Sequence, residues 1–184
     1  MRDRATRDKV RDAYSAAASD PAATHPFPVG RAFALSVGYP DGLPEASLDG
    51  FAGVSNVACF AEIAAGATVL DVGCGAGLDT LIAARRAGRV AGIDFSPPML
   101  LRAAAVRPPN AVFALAAAEC MPLPDASVDV ALANGIFNLN PARAEIFAEL
   151  ARVLKPGGRF FGAELILTAP LPEEMLRSDA NWFA

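Results

Sequence analysis

After residue 65, the apolar positions of the chain form short continuous runs that alternate with stretches of helical period. Short apolar runs bounded by glycine, proline or asparagine are typical of buried strands, and apolar spacings of three to four residues are typical of helices. The runs predict strands at 68–72, 89–94, 111–115, 128–133 and 159–167, and the periodic stretches predict helices at 78–87, 97–105 and 141–154. This alternation predicts an α/β fold with a doubly wound, mainly parallel sheet of about five strands.

The first 65 residues have a different pattern. Residues 3–18 are predicted to form a helix, with Val10, Tyr14 and Ala17 on one stripe. Residues 20–50 are rich in proline and glycine and have little periodicity, so short turns and helices are expected there. A further helix is predicted at 54–64. We therefore expect an N-terminal helical lid segment over 1–65 and an α/β domain over 66–184.

Composition restricts the classes of partner. The chain is 53% hydrophobic and 20% charged, with a net charge of -4, so no electrostatic attraction to nucleic acid or to an anionic membrane is expected. No stretch is long enough to span a bilayer, and the N-terminus lacks the apolar region of a signal peptide. The 3 cysteines have no metal-ligand spacing, which indicates a reduced, cytoplasmic protein. Abundant alanine and arginine suggest a bacterial source.

The strongest chemical signal is Val-Leu-Asp-Val-Gly-Cys-Gly-Ala-Gly-Leu-Asp at 69–79. A strand ends near Asp71, glycines follow at alternate positions, and a helix begins, so the backbone turns tightly and comes close to a ligand. The glycine spacing differs from the dinucleotide fingerprint, and the carboxylate of Asp71 would repel a phosphate. The segment favours a ligand with donor groups or positive charge over a nicotinamide cofactor.

This segment resembles motif I of the class I S-adenosylmethionine-dependent methyltransferases, which has the form Asp-x-Gly-x-Gly-x-Gly. The cofactor of that family carries a sulfonium and an ammonium group. The resemblance implies a Rossmann-like fold, the cofactor S-adenosyl-L-methionine and a small-molecule methyl acceptor. It assigns to the cofactor site the residues Asp71, Gly73, Cys74, Gly75 and Gly77.

The end of the second strand adds to the resemblance. Asp94 occupies the position at which the family's acidic residue accepts the ribose hydroxyls. The stretch that follows contains Phe95 and Met99 and is similar to the family segment whose apolar residues pack on adenine. Packing in the core is an equally plausible role for Met99.

The ends of the third and fourth strands also match. Ala118 and Glu119 lie in a stretch similar to the family's Gly-Asp-Ala-Glu-x-Leu-Pro, and the resemblance implies a backbone contact from Ala118. Ala117 departs from the pattern, because the family has an aspartate there that meets the adenine amino group. The loss of this hydrogen bond to adenine should weaken cofactor binding by about 1 kcal/mol. Asn134 is expected to contribute through its backbone carbonyl near the methionine end of the cofactor.

The segments 25–30, 37–40, 51–56, 134–139 and 150–158 resemble those of a bacterial group of arsenite-methyltransferase-like proteins, and the similarity covers nearly the whole chain. That group binds As(III) with cysteine thiolates, since a soft metalloid prefers soft ligands. Here Gly135 stands at one of the cysteine positions, and the region of another reads Gly53-Val54-Ser55. Arsenite is therefore an unexpected substrate. Quinone-pathway methyltransferases share the same cofactor motifs, so a carbon or oxygen nucleophile on a small molecule is the expected acceptor.

The catalytic residues are not determined by the sequence, and no metal site is expected. Base candidates are His25, in the lid segment, and Glu164, on the fifth predicted strand, while Tyr14 and Tyr39 are candidates for closing over the cofactor. Ala117 also motivates an alternative in which the protein binds the cofactor without catalysis. The chain ends soon after the fifth predicted strand, where the family usually adds two more, which suggests either a shortened family member or a truncated piece. Homodimerisation through the apolar C-terminus, Trp182 to Ala184, is one way in which the open surface would be covered.

Overall fold

The structure is a computed structural model that describes residues 2–138 and 140–168. Its centre is an all-parallel five-stranded sheet in the order β3-β2-β1-β4-β5. The strands are β1 Thr68–Val72, β2 Arg89–Asp94, β3 Ala111–Leu115, β4 Val128–Asn134 and β5 Leu154–Ala163. The helices are α1 Arg2–Ser19, α2 Arg31–Ser36, α3 Glu45–Asp49, α4 Val57–Phe60, α5 Leu78–Ala84, α6 Pro97–Ala105 and α7 Arg143–Val153.

The central strands β1 and β4 are buried on both faces of the sheet, and their alternate residues point to opposite sides. On one face, Val69 packs with helix α5 and with apolar residues of the N-terminal segment such as Leu48 and Phe51. On the other face, Leu70 and its neighbours pack against helix α7. The predicted α/β fold with a parallel sheet is confirmed. None of the described helices has the length and apolar character that crossing a membrane requires.

The predicted helix at 54–64 is much shorter in the structure, where α4 covers Val57–Phe60. Its backbone groups bond to other elements instead of continuing the helix. The N–H of Ala58 donates to the Asp79 carboxylate at 2.8 Å, and Arg86 donates to the carbonyls of Ala58 and Ala61. These partners lie far away in the sequence, so local periodicity could not reveal them.

The fifth strand begins earlier than the predicted residue 159. Leu154 pairs with Val128, and the register then shifts so that Arg159 pairs with Val130. The intervening residues form an irregularity in which Gly157 has φ +81°, a value that favours glycine. The strand ends at Ala163, opposite the last residue of β4. Expectations for Leu139 and for the apolar C-terminus at Trp182 to Ala184 lie outside the described residues.

Candidate functional site

A cavity of about 120 Å³ opens at the carboxyl ends of the parallel strands. From β1 the chain adds strands toward one edge of the sheet, through β2 to β3, and it then returns to add β4 and β5 on the other side of β1. Ligands of such folds bind at this point between β1 and β4. Most of the residues that the sequence assigned to a cofactor line the cavity, namely Asp71, Gly73, Cys74, Gly75, Asp94, Phe95, Met99, Ala118, Glu119 and Asn134.

Gly77 is the assigned residue that does not line the cavity. It precedes helix α5 with φ +82°, and a Cβ atom there would lie 3.1 Å from the Cβ of Ala103 and 3.3 Å from the ring of Phe113. Its position therefore serves the close packing of α5 against α6 and β3.

The glycine loop is held against the end of β2. The N–H groups of Gly73 and Cys74 both donate to the carbonyl of Ile93, at 2.8 and 2.9 Å. Gly73 has φ +70°, and a Cβ there would lie 2.5 Å from Cγ2 of Ile136, so no larger residue fits without movement. The loop backbone consequently forms part of the cavity wall.

Asp94 is buried at the end of β2 and accepts two backbone hydrogen bonds. Its Oδ2 accepts from the N–H of Gly75 at 2.9 Å and its Oδ1 from the N–H of Ser96 at 2.8 Å. Burial raises the pKa of Asp94 to about 6, although these N–H groups oppose the shift. Each carboxylate oxygen has two lone pairs, so both can also accept from a ligand hydroxyl.

Asp71 lies deeper, at the end of β1, with only 2% of its surface exposed. Its Oδ2 accepts from the hydroxyl of Thr80 at 2.6 Å. Burial, followed by repulsion from Asp79, raises the pKa of Asp71 to about 8. A cationic ligand group at this position would stabilise the ionised carboxylate.

Asp79 is a third buried carboxylate in the cavity wall, and sequence reasoning missed it. Its Oδ1 accepts from the Tyr39 hydroxyl at 2.6 Å and from the N–H of Ala58 at 2.8 Å, and its Oδ2 accepts from Nδ2 of Asn134 at 2.9 Å. Its place in the first turn of α5, where a carboxylate is favoured, was the only sequence signal. Asp79 thus joins the N-terminal segment to β4.

The side chain of Asn134 completes this network. Its Oδ1 accepts from the N–H groups of Val54 and Ser55 at 2.8 and 3.1 Å, and its Nδ2 donates to the Ser55 carbonyl at 2.6 Å. A Cβ on Gly53 would lie 2.8 Å from Cγ of Asn134. The side chain is therefore committed to the N-terminal segment, which leaves the backbone of Asn134 for the predicted ligand contact.

Helix α1 covers the opposite side of the cavity with Arg7, Val10 and Tyr14. Arg7 forms an ion pair with Glu119 on the wall that follows β3. Tyr14 stacks on Phe27 with 4.5 Å between ring centroids, and burial raises the pKa of its hydroxyl. Within the described part of the chain, α1 is thus the element that separates this side of the cavity from solvent.

The two base candidates from the sequence do not line the cavity. The ring nitrogen Nε2 of His25 lies 2.8 Å from the carbonyl of Asp20 on the exposed side of the molecule. Glu164 follows β5 and accepts from the N–H of Phe137 at 2.5 Å. Tyr39, by contrast, does line the cavity and donates to Asp79.

The two positions at which the family resemblance places cysteines, Gly135 and the region 53–55, lie next to each other in the structure. A Cβ on Gly135 would lie 3.1 Å from Cγ1 of Val54, so the two segments in which the resemblance places cysteines are in contact. Neither residue has a sulfur atom. Cys74 is buried in the glycine loop, whereas Cys59 and Cys120 are exposed. Among the described residues, no group of three or more His, Cys, Asp or Glu side chains could hold a metal ion.

Comparison with known proteins agrees with this geometry. The arsenite methyltransferase of Halobacterium salinarum is 38% identical over 130 residues, which cover 67% of this chain and 33% of the relative. The 2-methyl-6-phytyl-1,4-hydroquinone methyltransferase of Synechocystis is 43% identical over 96 residues, which cover 50% of this chain and 30% of the relative. The chain therefore spans about a third of the length of these curated relatives.

The fold has a close counterpart among solved structures. An arsenic(III) S-adenosylmethionine methyltransferase from Chlamydomonas reinhardtii superimposes with a TM-score of 0.67 at 25% identity, covering 78% of this chain and 54% of the other. The family described as methyltransferase domain matches residues 70–162, which is half of the chain and includes β2 to β4 and most of β1 and β5. The chain belongs to this methyltransferase-domain family of class I proteins, whose cofactor is S-adenosylmethionine.

Proposed function

We propose that this chain is the cofactor-binding part of an enzyme that methylates a carbon or oxygen atom of a small organic molecule. The observation that carries the proposal is the cavity wall, in which Asp71, Asp79 and Asp94 are buried beside the glycine loop. Arg7 lines the same cavity, but its charge is paired with Glu119. Among the described lining residues the acidic groups thus face no unpaired positive charge, and a cationic ligand would favour their ionised forms.

The residues of the cavity fit S-adenosylmethionine. The carboxylate of Asp94 would accept the ribose hydroxyls, and Met99 with Ala118 would form the apolar walls for adenine. The glycine loop and the backbone of Asn134 would contact the methionine end, with Asp71 opposite its positive groups. Phe95, Cys74 and Glu119 would border the cofactor without supplying a required hydrogen bond.

When bound, S-adenosylmethionine supplies a methyl group that is already activated by its sulfonium sulfur. The protein then has to align the acceptor and exclude water. Helix α1 would exclude water through Val10 and Tyr14, and the network of Asp79 would hold Tyr39 at the cavity wall. A phenol or enol acceptor fits this site, because such a nucleophile needs little help from a strong base.

The acceptor is proposed to be organic because the region around Val54 and Gly135 has no soft ligand. An apolar side chain packs there against a glycine, which provides an apolar surface and no thiolate for As(III). Both relatives named above methylate according to their names, one arsenite and the other a hydroquinone. The chemistry of the wall favours an acceptor of the second kind.

Calorimetric titration with S-adenosylmethionine and with S-adenosylhomocysteine tests the proposal. We expect a dissociation constant in the range of roughly 1–100 μM, typical of a functional cofactor site. Asp94→Ala should weaken binding of both compounds, and Arg11→Gln, on α1 but outside the cavity lining, should not. Absence of binding by the wild-type protein at millimolar cofactor would refute the proposed function.

A second candidate is a protein that binds the cofactor without transferring methyl groups. Ala117 favours this reading, because it lines the cavity where the family pattern has an aspartate. Assays with radiolabelled S-adenosylmethionine and a panel of phenols, quinols and small enols separate the two candidates. Tight binding with no labelled product from any acceptor class would favour the second, while labelled product would exclude it.

A further inference from the structure

Arg152, in the last turn of α7, uses all of its hydrogen-bonding capacity. A guanidinium has five N–H donors. Nε donates to Oε1 of Glu149 at 2.6 Å, Nη1 donates to the Leu123 carbonyl and to Oδ1 of Asp125, both at 2.8 Å, and Nη2 donates to the Met121 carbonyl at 3.0 Å and to Oε2 of Glu149 at 2.8 Å. Each donor therefore has a partner.

The partners of Arg152 lie in one segment, the connection between β3 and β4. Glu149 strengthens the contact because its Oε2 also accepts from the N–H of Met121 at 2.7 Å. The hydrogen bonds from Arg152 hold the pKa of Glu149 at about 2, so the pair stays charged. The side chain of Met121 is itself buried in the core beneath the sheet. Helix α7 thus clamps the backbone of residues 121–125.

The segment just before the clamp is the cavity wall. Residues 116–119 line the cavity, and they are tied to the sheet at one end, where the N–H of Ala116 donates to the Asp94 carbonyl at 3.0 Å. Inside the segment, the N–H of Cys120 donates to the Ala117 carbonyl at 3.1 Å. The wall therefore has two anchors, the end of the sheet and the clamp of Arg152.

We propose that Arg152 is a positioning residue for cofactor binding, which acts by fixing the backbone of residues 116–120 against the adenine side of the cavity. Arg152 does not line the cavity and contacts no proposed ligand position. The inference rests on the proposed function, since it concerns the affinity for the cofactor. The planar fork of donors is the essential feature, because a lysine has the same charge but only three donors from one atom.

If Arg152 had a purely structural role, its substitution would lower the stability of the protein and leave the cavity wall unchanged. Asn110 offers a matched control for this role. Its Nδ2 also bridges two backbone carbonyls of another element, those of Ala84 and Ala87 at 3.0 and 3.1 Å. It precedes β3, at the opposite end of the same strand from the cavity wall. Asn110→Ala should thus cost stability without altering the wall.

The experiment compares the wild type, Arg152→Lys and Asn110→Ala by calorimetry with S-adenosylhomocysteine and by hydrogen exchange of the free proteins. In Arg152→Lys we expect roughly five- to tenfold weaker binding and faster exchange of residues 116–120. Asn110→Ala should lower the melting temperature and leave both quantities unchanged. Asp125→Ala removes one exposed acceptor of Arg152 and should change binding and exchange in the same direction as Arg152→Lys, but by less. It provides the test if Arg152→Lys does not fold.

The proposal would be overturned by unchanged exchange at residues 116–120 in Arg152→Lys, or by faster exchange there with unchanged affinity. Equal weakening of binding in Asn110→Ala would do so as well, because it would trace the effect to general stability. If the wild type binds neither compound, the proposed function fails first and the inference fails with it. Weaker binding in Arg152→Lys and Asp125→Ala but not in Asn110→Ala, together with faster exchange of residues 116–120, supports the proposal.

Discussion

At the scale of single residues, the charge of the cavity is set by three carboxylates. Asp71, Asp79 and Asp94 have only 2%, 6% and 7% of their surface exposed. Burial disfavours their ionised forms and raises the pKa of each. Burial of three carboxyl groups lowers the stability of the free protein, and a bound cationic ligand would stabilise their ionised forms. Two predictions follow from this balance.

The first concerns Asp94, whose pKa lies at about 6. Protonation removes a negative acceptor for the ribose hydroxyls, so affinity should fall as the pH falls below that value. We expect about tenfold weaker binding at about pH 5 than at about pH 7. The probe is 5′-methylthioadenosine, which has the ribose and adenine but no ionisable amino acid part. Asp94→Asn should weaken binding and remove most of this pH dependence, and a steep dependence that persists in the variant would contradict the assignment.

The second concerns Asp71, whose pKa is raised from 3.8 to about 8. Between these values the folded protein binds the proton that the unfolded chain releases, so the burial of Asp71 reduces stability progressively as the pH rises through this window. Asp71→Asn should therefore stabilise the free protein by about 1–3 kcal/mol at about pH 8 and by much less near pH 4. Thermal melts at the two pH values measure the difference. The same variant should bind S-adenosylmethionine more weakly, and lower stability at both pH values would refute the argument.

At the scale of elements, helix α1 makes polar contacts with the rest of the described chain near both of its ends. Near its C-terminal end, Ser15 and Ser96 hydroxyls lie 2.9 Å apart and Arg102 donates to the Ala18 carbonyl. Toward its N-terminal end, the ion pair of Arg7 and Glu119 reaches across the cavity. We propose that the helix opens at the Arg7 end when the cofactor exchanges.

Arg7→Gln tests this role for α1. A partly exposed ion pair contributes at most about 1 kcal/mol, so S-adenosylhomocysteine should dissociate roughly two- to fivefold faster from the variant. Arg11→Gln is the matched control, because the ion pairs of Arg11 within the described residues join it to Asp8 and Asp12 of its own helix. Stopped-flow displacement measures the rates. Equal rates for the two variants would exclude the ion pair as the element that holds α1 closed.

At the scale of the whole molecule, the N-terminal segment and the sheet share one hydrophobic cluster. It contains Leu48 and Phe51 together with Val69 and Val90 of the central strands. The network of Asp79 and Asn134 crosses the same boundary with hydrogen bonds. We therefore expect the described parts of residues 1–65 and 66–184 to unfold together.

Heat or urea unfolding should accordingly give one transition that coincides in far-ultraviolet and near-ultraviolet circular dichroism. Asn134→Ala removes bonds to Val54, Ser55 and Asp79 and leaves buried polar groups without partners, so it should cost about 2–4 kcal/mol. The transition should stay single in this variant. Two separate transitions in the wild type would show that the N-terminal segment folds independently.

Local pattern was sufficient for the first four strands and for the positions of the turns that face the cavity, but not for the bounds of β5. The predicted ends of the first two strands, Val72 and Asp94, are the ends of β1 and β2, because period and glycine chemistry are encoded over a few neighbouring residues. The same reason explains why the glycine loop and Asp94 could be assigned before their contacts were known. Parallel strands then bring these turns to one edge, so a shared cavity could be predicted as well.

Contacts between residues far apart in the sequence were decided by the tertiary structure alone. The hydrogen bonds of Asp79 to Tyr39 and Asn134 span 40 and 55 residues, and no local signal marks such partners. Gly77 was assigned to the ligand by its motif, yet the packing of α5 determines its surroundings. The sequence by itself thus determined the sheet and the cavity edge, since these depend on local period and turn geometry, and the resemblance of its glycine segment to a known family indicated the cofactor. The walls of the cavity depend on which distant side chains meet, and only folding brings them together.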